Sequence, residues 1–530
     1  MSDTTKKKRG MLSSFTILLI LLAIVAVVTV IVSGMAPDQV TAARPDDFFM
    51  APVRGFADAL PVCLFVLILG GFLGIVTETG ALDNGIAVLV KRLHGKELML
   101  IPILMFLFSL GGTVYGMCEE TVPFYALLAA TMMAAGFDPL VGAAIVLLGA
   151  GCGCLGSTVN PFAVGAANDS LRSVGIEVDQ TVIIGLGAIL WIVTTVLSML
   201  FVYRYAKKVK ADKGSTLLSQ QELADAEHAH GAAAAEVTKD VRLTGRQKGV
   251  LVVFALTFAV LILGFIPWGD LSQGAADFFD AGAVYEETSA PVTSADAVAA
   301  YDEANGTATE LAVAGDEELG TAIGESQTAL GWSAFFTGIP IGGWYFDEAS
   351  TWFLIMSIVI GVIGGLSEKK IVNTFITGAG DMMSVVLIIA LARGISVLMA
   401  STGLDLYVLE NAAAALKGLS GMIFAPASWL LYFGLSFLIP STSGMAGASM
   451  PIMGPLAEAL HFSPEVMVMV FSSAIGVVNL FTPTSGAIMG GLALAKIEWT
   501  TWLKFAIPLI VILSIVSAII CSVAIMVVPA

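Results

Sequence analysis

Apolar runs close to bilayer length recur along this chain and set what it can fold into. Phe15–Val32, Leu60–Ile75, Thr181–Val202, Gly249–Ile266 and Trp502–Val527 each carry at most one charged residue. About 20 apolar residues in a helix cross the hydrocarbon core of a membrane. In lipid every backbone N–H and C=O needs an internal partner, so such runs are expected as helices. Composition points the same way: 57% of residues are hydrophobic and 13% charged, against about 25% charged in soluble globular chains. The expected fold is an all-α polytopic membrane protein.

The net charge of -17 does not describe the whole surface. Between Asp270 and Ser350 there is no Lys or Arg, while Asp and Glu recur. This acidic stretch reads as an external insertion, either a small domain or a disordered loop, with screening of a salty exterior as a weaker idea. No basic, aromatic surface suggests nucleic acid. Cys63, Cys118, Cys152, Cys154 and Cys521 all lie in apolar or pore-like segments, so they form no disulfide framework. The Cys152-x-Cys154 spacing lacks convincing companion ligands for a metal. No cofactor is expected.

Basic residues give an orientation. Lys6, Lys7, Lys8 and Arg9 precede the first run, which is long and lacks a clean cleavage site. It reads as a retained helix with its N-terminus in the cytoplasm. The loop Ala36–Arg54 is then outside. Lys91, Arg92 and Lys96, then Arg204 to Lys210, then Lys369 and Lys370 mark later cytoplasmic turns. The segments Ala427–Leu438, Met445–Leu460 and Pro464–Val478 add shorter apolar pieces.

One stretch resists description as a plain helix. From Gly116 to Pro161 the sequence holds Glu119 and Glu120, a Gly-rich run Gly149–Gly156, and then Gly156-Ser157-Thr158-Val159-Asn160-Pro161. Gly111-Gly112 begins a polar break, and Gly149–Gly156 is too rich in glycine for a stable continuous helix. Ionisable and polar residues inside a membrane segment mark a substrate or ion pathway.

The second half repeats these landmarks in order. Glu78-Thr79-Gly80-Ala81-Leu82-Asp83 answers to Ser401-Thr402-Gly403-Leu404-Asp405. Gly116-Met117, with Pro123 beyond, answers to Gly444-Met445 with Pro451. Phe137-Asp138-Pro139 answers to Phe462-Ser463-Pro464, and the Gly156–Pro161 string to Asn479–Gly486. Charge places equivalent helices in opposite directions, the inverted-repeat pattern of secondary transporters. The expected divisions are 1–55 (tail, first helix, external loop), 56–205 (first repeat) and 206–247 (cytoplasmic linker). Then come 248–268 (membrane helix), 269–350 (acidic insertion), 351–370 (membrane helix and turn) and 371–530 (second repeat).

Within each repeat, Gly111–Pro123 and Pro440–Pro451 read as tips or entries of re-entrant hairpins. Gly156–Pro161 and Thr482–Gly486 read as the unwound centres of broken helices. Unwound backbone offers carbonyls to Na⁺ and N–H groups to an anionic substrate group. The candidate substrate-binding residues are Glu119, Glu120, Ser157, Thr158, Asn160, Ser441, Thr442, Ser443, Asn479, Thr484 and Ser485. Candidate Na⁺ ligands are Gly156, Ser157, Asn160, Thr482, Thr484 and Ser485. The bland alternatives are close helix packing for the glycines and serines, and a pairing of one Glu with Arg393 or a helix cap for the acids. Arg393, inside an apolar stretch, could also contact substrate or snorkel.

These strings resemble the YfcC-like branch of the C4-dicarboxylate anaerobic carrier family, within the ion-transporter superfamily of inverted-repeat, elevator-type carriers. The resemblance rests on Glu119-Glu120-Thr121, Gly156-Ser157-Thr158 with Asn160-Pro161-Phe162, Ile439-Pro440-Ser441, Pro455-Leu456-Ala457 and Pro483-Thr484-Ser485-Gly486. It spans both repeats and leaves out the acidic insertion. It implies a secondary transporter of the cytoplasmic membrane, multi-pass and homodimeric, that carries dicarboxylates or basic amino acids.

Two adjacent acids oppose a dicarboxylate and favour a basic amino acid, with arginine/ornithine exchange as the sharpest version. A buried Glu could also carry a coupling proton. A Na⁺- or H⁺-coupled carrier of a C4-dicarboxylate or other short organic anion is the alternative. A channel would want a symmetric filter rather than two unlike half-sites. An enzyme would need a catalytic pair, which is not visible, and no nucleotide-binding motif suggests ATP coupling. The expected partners are a small-molecule substrate and the lipid bilayer.

Overall fold

The computed structural model describes residues 14–82, 84–85, 88, 96–172, 174–237, 242–266, 268, 273–279, 284–293, 318–328, 331–437, 439 and 441–529. The chain forms two compact units, one from residues 1–267 with 345–530 and one from residues 268–344. Among the described residues, eight helices are long and apolar enough to cross a membrane.

The larger unit is all-α. It opens with α1 (Ser14–Met35), α2 (Pro45–Asp58) and α3 (Leu60–Glu78). Then come α4 (Leu100–Tyr115), α5 (Phe124–Ala134), α6 (Pro139–Leu155), α7 (Ala166–Arg172) and α8 (Gln180–Ala211). Two helices follow, α9 (Gln220–Val237) in the linker and α10 (Gly245–Phe265).

The second half of this unit repeats the order. Helices α12 (Phe346–Gly364), α13 (Glu368–Asp381) and α14 (Met383–Thr402) stand for α1 to α3. They lead to α15 (Leu404–Leu416), α16 (Gly421–Leu435), α17 (Thr442–Ala459), α18 (Pro464–Val478), α19 (Gly486–Leu494) and α20 (Trp499–Val527).

Neighbours are duplicated along with order. Helix α4 packs on α6 and α8, as α16 packs on α18 and α20. Helix α6 packs on α5 and α8, as α18 packs on α17 and α20. The leading helices exchange partners across the halves: α1 and α2 pack on α14, and α12 and α13 pack on α3. The α2–α14 and α13–α3 crossings rely on glycine. A Cβ on Gly55 of α2 would lie 2.3 Å from the backbone of α14 at Ala390 and Gly394. One on Gly378 of α13 would lie 2.5 Å from the Gly70 carbonyl of α3.

The matched Phe-x-Pro landmarks have a local cause. Asp138 caps α6 by accepting from the Val141 N–H, and Ser463 caps α18 by accepting from the Val466 N–H. In both, proline follows at the first turn, where its missing N–H costs nothing. Asp138 also receives hydrogen bonds from the Tyr205 hydroxyl (2.6 Å) and the Thr216 hydroxyl (2.7 Å), which tie the linker to α6 and α8.

Several sequence expectations change. The loop Ala36–Arg54 contains the start of α2, an amphipathic helix reaching Asp58. Proline in the first turn, with Asp46 and Asp47 there, suits a helix N-terminus. Gly111-Gly112 does not break α4, and Gly149–Leu155 stays helical in α6. The two helices meet through these glycines: a Cβ on Gly112 would sit 2.1 Å from the Ala150 carbonyl, and one on Gly153 would sit 2.1 Å from the Ser109 carbonyl. Packing therefore overrides the weak helix propensity of glycine. The stretch from Ser441 to Pro451 is not a loop but the cap and first half of α17, with Pro451 and Pro455 inside the helix. Pro440 lies outside the described residues, as do Lys6 to Arg9, Asp83, Lys91 and Arg92.

The smaller unit includes α11 (Gln273–Phe279) and the antiparallel strands β1 (Val284–Thr293) and β2 (Glu318–Thr328), with Val284 opposite Thr328. Phe278, Phe279 and Trp332 form an aromatic cluster, and the Trp332 indole donates to the Phe278 carbonyl at 2.9 Å. The all-α description thus holds for the membrane unit, while the insertion adds a hairpin.

Candidate functional site

The connections between the short helices converge. Gly116, Cys118 and Glu119 follow α4, and Asn160 and Phe162 follow α6. Ser441, Thr442 and Ser443 start α17, and Thr484, Ser485 and Gly486 start α19. All of them line one cavity of about 350 Å³, together with Asn479. Ligand pockets run roughly 300–1,000 Å³, so the space suits a small metabolite.

Each string is held by its own backbone chemistry. Gly116 ends α4 in the left-handed region (φ 75°), and its α-carbon lies against the Asn160 side-chain amide. A tight turn, Glu119–Thr121, follows, and the Thr121 hydroxyl donates to the Cys118 carbonyl at 2.6 Å. Asn160 is buried; its Oδ1 accepts from the Phe162 N–H at 2.9 Å and its Nδ2 donates to Ser157 Oγ at 2.9 Å. Ser157 Oγ in turn donates to the Cys154 carbonyl at 2.7 Å. The π-turn Pro161–Gly165 then leads into α7.

Not every candidate faces the cavity. Gly156 and Thr158 fold the unwound string onto α4 instead, while Ser157 turns back onto α6 through the Cys154 carbonyl. The Thr113 hydroxyl donates to the Gly156 carbonyl at 2.7 Å, and the Thr158 N–H and hydroxyl both donate to the Thr113 carbonyl, at 2.9 and 3.1 Å. In the second half the Thr482 hydroxyl is buried 2.7 Å from that of Thr484 and stays off the cavity wall. The carbonyls of Leu480 and Phe481 accept the indole N–H groups of Trp502 and Trp499, both at 2.8 Å. Glu120 lies in the turn beside Glu119, and its side chain is outside the described residues.

Two helix N-termini flank the cavity. Ser441 accepts from the Gly444 N–H at 3.1 Å and caps α17; Ser485 accepts from the Ile488 N–H at 3.5 Å and caps α19. Helix N-termini carry partial positive charge and unsatisfied N–H groups, which suit a carboxylate. The formal charges on the wall are Asp58, Glu119, Asp347 and Arg393. Arg393 forms an ion pair with Asp58.

Asp58 and Asp347 were not legible as site residues. Each sits at a helix end, a place where an acid ordinarily just faces water. Their role follows from the crossing of α2 on α14 and the position of α12. An aromatic wall completes that side, where Phe162 stacks on Phe346 (5.0 Å between centroids) and tilts against Tyr345 (4.9 Å).

Residues 6–526 match the family model described as "C4-dicarboxylate anaerobic carrier" (DcuC). The chain belongs to this family. Members of the DcuC family are transporters rather than enzymes, and this one is a multi-pass membrane transporter. Its relatives place it in a YfcC-like branch. An uncharacterized protein of Haemophilus influenzae is 26% identical over 475 residues, covering 89% of this chain and 77% of that one. The Escherichia coli (strain K12) protein named "Putative basic amino acid antiporter YfcC" is 25% identical over 476 residues, covering 88% and 77%.

Among solved structures, Neisseria gonorrhoeae MtrF aligns at a TM-score of 0.44 with 15% identity, covering 98% of this chain and 96% of that one. The Alcanivorax borkumensis YdaH transporter aligns at 0.45 with 14% identity, covering 96% and 98%.

Proposed function

We propose that this DcuC-family transporter exchanges basic amino acids, of the arginine/ornithine kind, by alternating access across the cytoplasmic membrane. The reading is carried by the charge balance of the cavity: among the described residues of its wall, Asp58, Glu119 and Asp347 face one cation, Arg393. With Asp58 paired to Arg393, Glu119 and Asp347 remain to attract a cationic side chain. The substrate's α-carboxylate then meets the positive ends of α17 and α19. The name of the Escherichia coli relative supports the same substrate class.

The alternative is a C4-dicarboxylate or another short organic anion, favoured by Arg393 and the same two helix N-termini. Coupling is by Na⁺ or H⁺, or by exchange alone. Asn160, Thr484 and Ser485, with Ser157, Thr482 and the Gly156 carbonyl behind them, are the oxygen donors for Na⁺; Glu119 is the proton carrier if H⁺ couples. Ser441, Thr442, Ser443 and Asn479 complete the substrate site. The duplicated helix order supports two repeats of opposite orientation, with the α4–α7 and α16–α19 groups sliding as one body in a homodimer whose N-termini are cytoplasmic.

The test is exchange in proteoliposomes loaded with ornithine, with labelled arginine outside. Arginine uptake that depends on internal ornithine is expected. Uptake of succinate or fumarate with no binding of arginine or ornithine would refute it.

A further inference from the structure

Arg393 occupies an otherwise apolar helix. Its neighbours Ile388, Ile389, Leu391, Ala392 and Ile395 are all buried. Ile389, Ala392 and Arg393 all line the cavity. Their spacing, three and four residues, puts them on one helix face, so that face of α14 forms a wall and the guanidinium stands on it. A guanidinium at this depth persists only with a counter-charge. Asp58 supplies it. Asp58 is itself half-exposed, with its side chain 49% accessible against 26% for Arg393. Both members of the pair line the cavity, and the anion is the more exposed of the two. It is also the last residue of α2, held by the end of a helix rather than within one.

We infer that Arg393, on the α14 face that meets the start of α19 at Gly486, holds the substrate's carboxylate together with the helix N-termini, and that Asp58 is the internal anion it exchanges for that carboxylate. A guanidinium presents a planar fork of donors that matches a carboxylate and takes either partner in the same geometry. Exchanging one carboxylate for another keeps the buried cation paired before and after binding, so neither state carries an uncompensated charge. Once released, Asp58 adds its charge to Glu119 and Asp347 around a cationic side chain. The inference rests on the cavity being the substrate site. It stands for any carboxylate-bearing substrate, so it can survive if the basic amino acid reading fails.

The experiment compares arginine with agmatine, the same molecule without its carboxylate, as competitors for labelled arginine in proteoliposomes of the full chain. For Arg393→Gln the arginine affinity is expected to fall about 10–100-fold while agmatine changes little, because one charge-assisted contact is lost. Arg393→Lys restores part of the preference. Asp58→Asn, which keeps the guanidinium, raises the arginine-to-agmatine affinity ratio above that of the unaltered protein. Equal losses for both ligands in Arg393→Gln, or an unchanged ratio in Asp58→Asn, would overturn the inference. If the unaltered protein takes succinate and not arginine, the same variants are read with succinate against succinamide, which has no carboxylate. A selective loss of succinate then supports the role of Arg393 while removing the amino acid reading.

Discussion

At the residue scale, the cavity depends on a few positions where chemistry and backbone agree. Glu119 lines the wall and lies close enough to Arg393 for their charges to attract. Glu119→Gln removes a counter-charge from a desolvated site, so affinity for a basic amino acid should fall about 30-fold or more in a competition assay. A dicarboxylate carrier would respond in the opposite direction. Gly116 combines a positive φ of 75° with close approach to Asn160, where a Cβ would meet the amide at 2.6–2.9 Å. Gly116→Ala is expected to cost about 1–3 kcal/mol, read as a lower melting temperature in detergent. Cys118 and Cys154 both line the cavity, while Cys63, Cys152 and Cys521 are buried. A small cationic thiol reagent should modify the first two, and saturating substrate should slow that reaction; labelling indifferent to every candidate substrate would place binding elsewhere.

At the scale of elements, glycine does work that the sequence disguises. Gly112 and Gly153 read as helix breakers, yet they let α4 and α6 cross at backbone contact. Gly153→Ala places a methyl 2.1 Å from the Ser109 carbonyl. Overpacking of that kind costs about 1–3 kcal/mol, and loss of folded protein in a thermal-shift series would show it. The linker helix α9 is a second element decided by packing. The buried His230 Nε2 lies 3.0 Å from the Leu494 carbonyl at the end of α19, and the buried Glu222 accepts from the Glu498 N–H at 2.9 Å.

Burial holds the His230 imidazole below the usual histidine range; the Leu494 carbonyl opposes this and Lys496 adds to it. A base with a lowered folded pKa contributes stability that is present above its unfolded value, near 6.5. That stability is lost as pH falls through the folded value. Protease protection of α9 should therefore weaken as pH drops from about 7 to 5, and His230→Gln should flatten that dependence.

At the scale of the whole molecule, the insertion and the membrane unit are separate bodies. Among the described residues, the cavity wall is drawn from the membrane unit. Replacing residues 270–342 with a short flexible linker should leave exchange in proteoliposomes within about two-fold of the intact chain, the spread ordinary for surface changes. A complete loss would assign the insertion a part in transport. The membrane unit itself was legible in outline. Runs such as Leu60–Ile75 and Trp502–Val527 appear as α3 and α20, and most matched strings lie at the joints of a duplicated helix order, Gly444–Pro451 falling inside α17 instead. Helices α2 and α13 were not legible, because their amphipathic sequences look like loops when the hydropathy of a spanning segment is the signal sought.

The sequence alone determined membrane residence, the main helices and the four strings that line the cavity. Those properties are local: lipid forces backbone pairing within a segment, and Gly, Pro, Ser and Asn end or cap helices through near neighbours. The tertiary structure decided which polar residues face the cavity and which hold the strings in place, and it separated Asn160 and Thr484 from Ser157, Thr158 and Thr482. It also decided that Arg393 pairs with Asp58. These outcomes turn on the approach of helices far apart in the chain, such as α2 on α14, and neither periodicity nor composition encodes that distance.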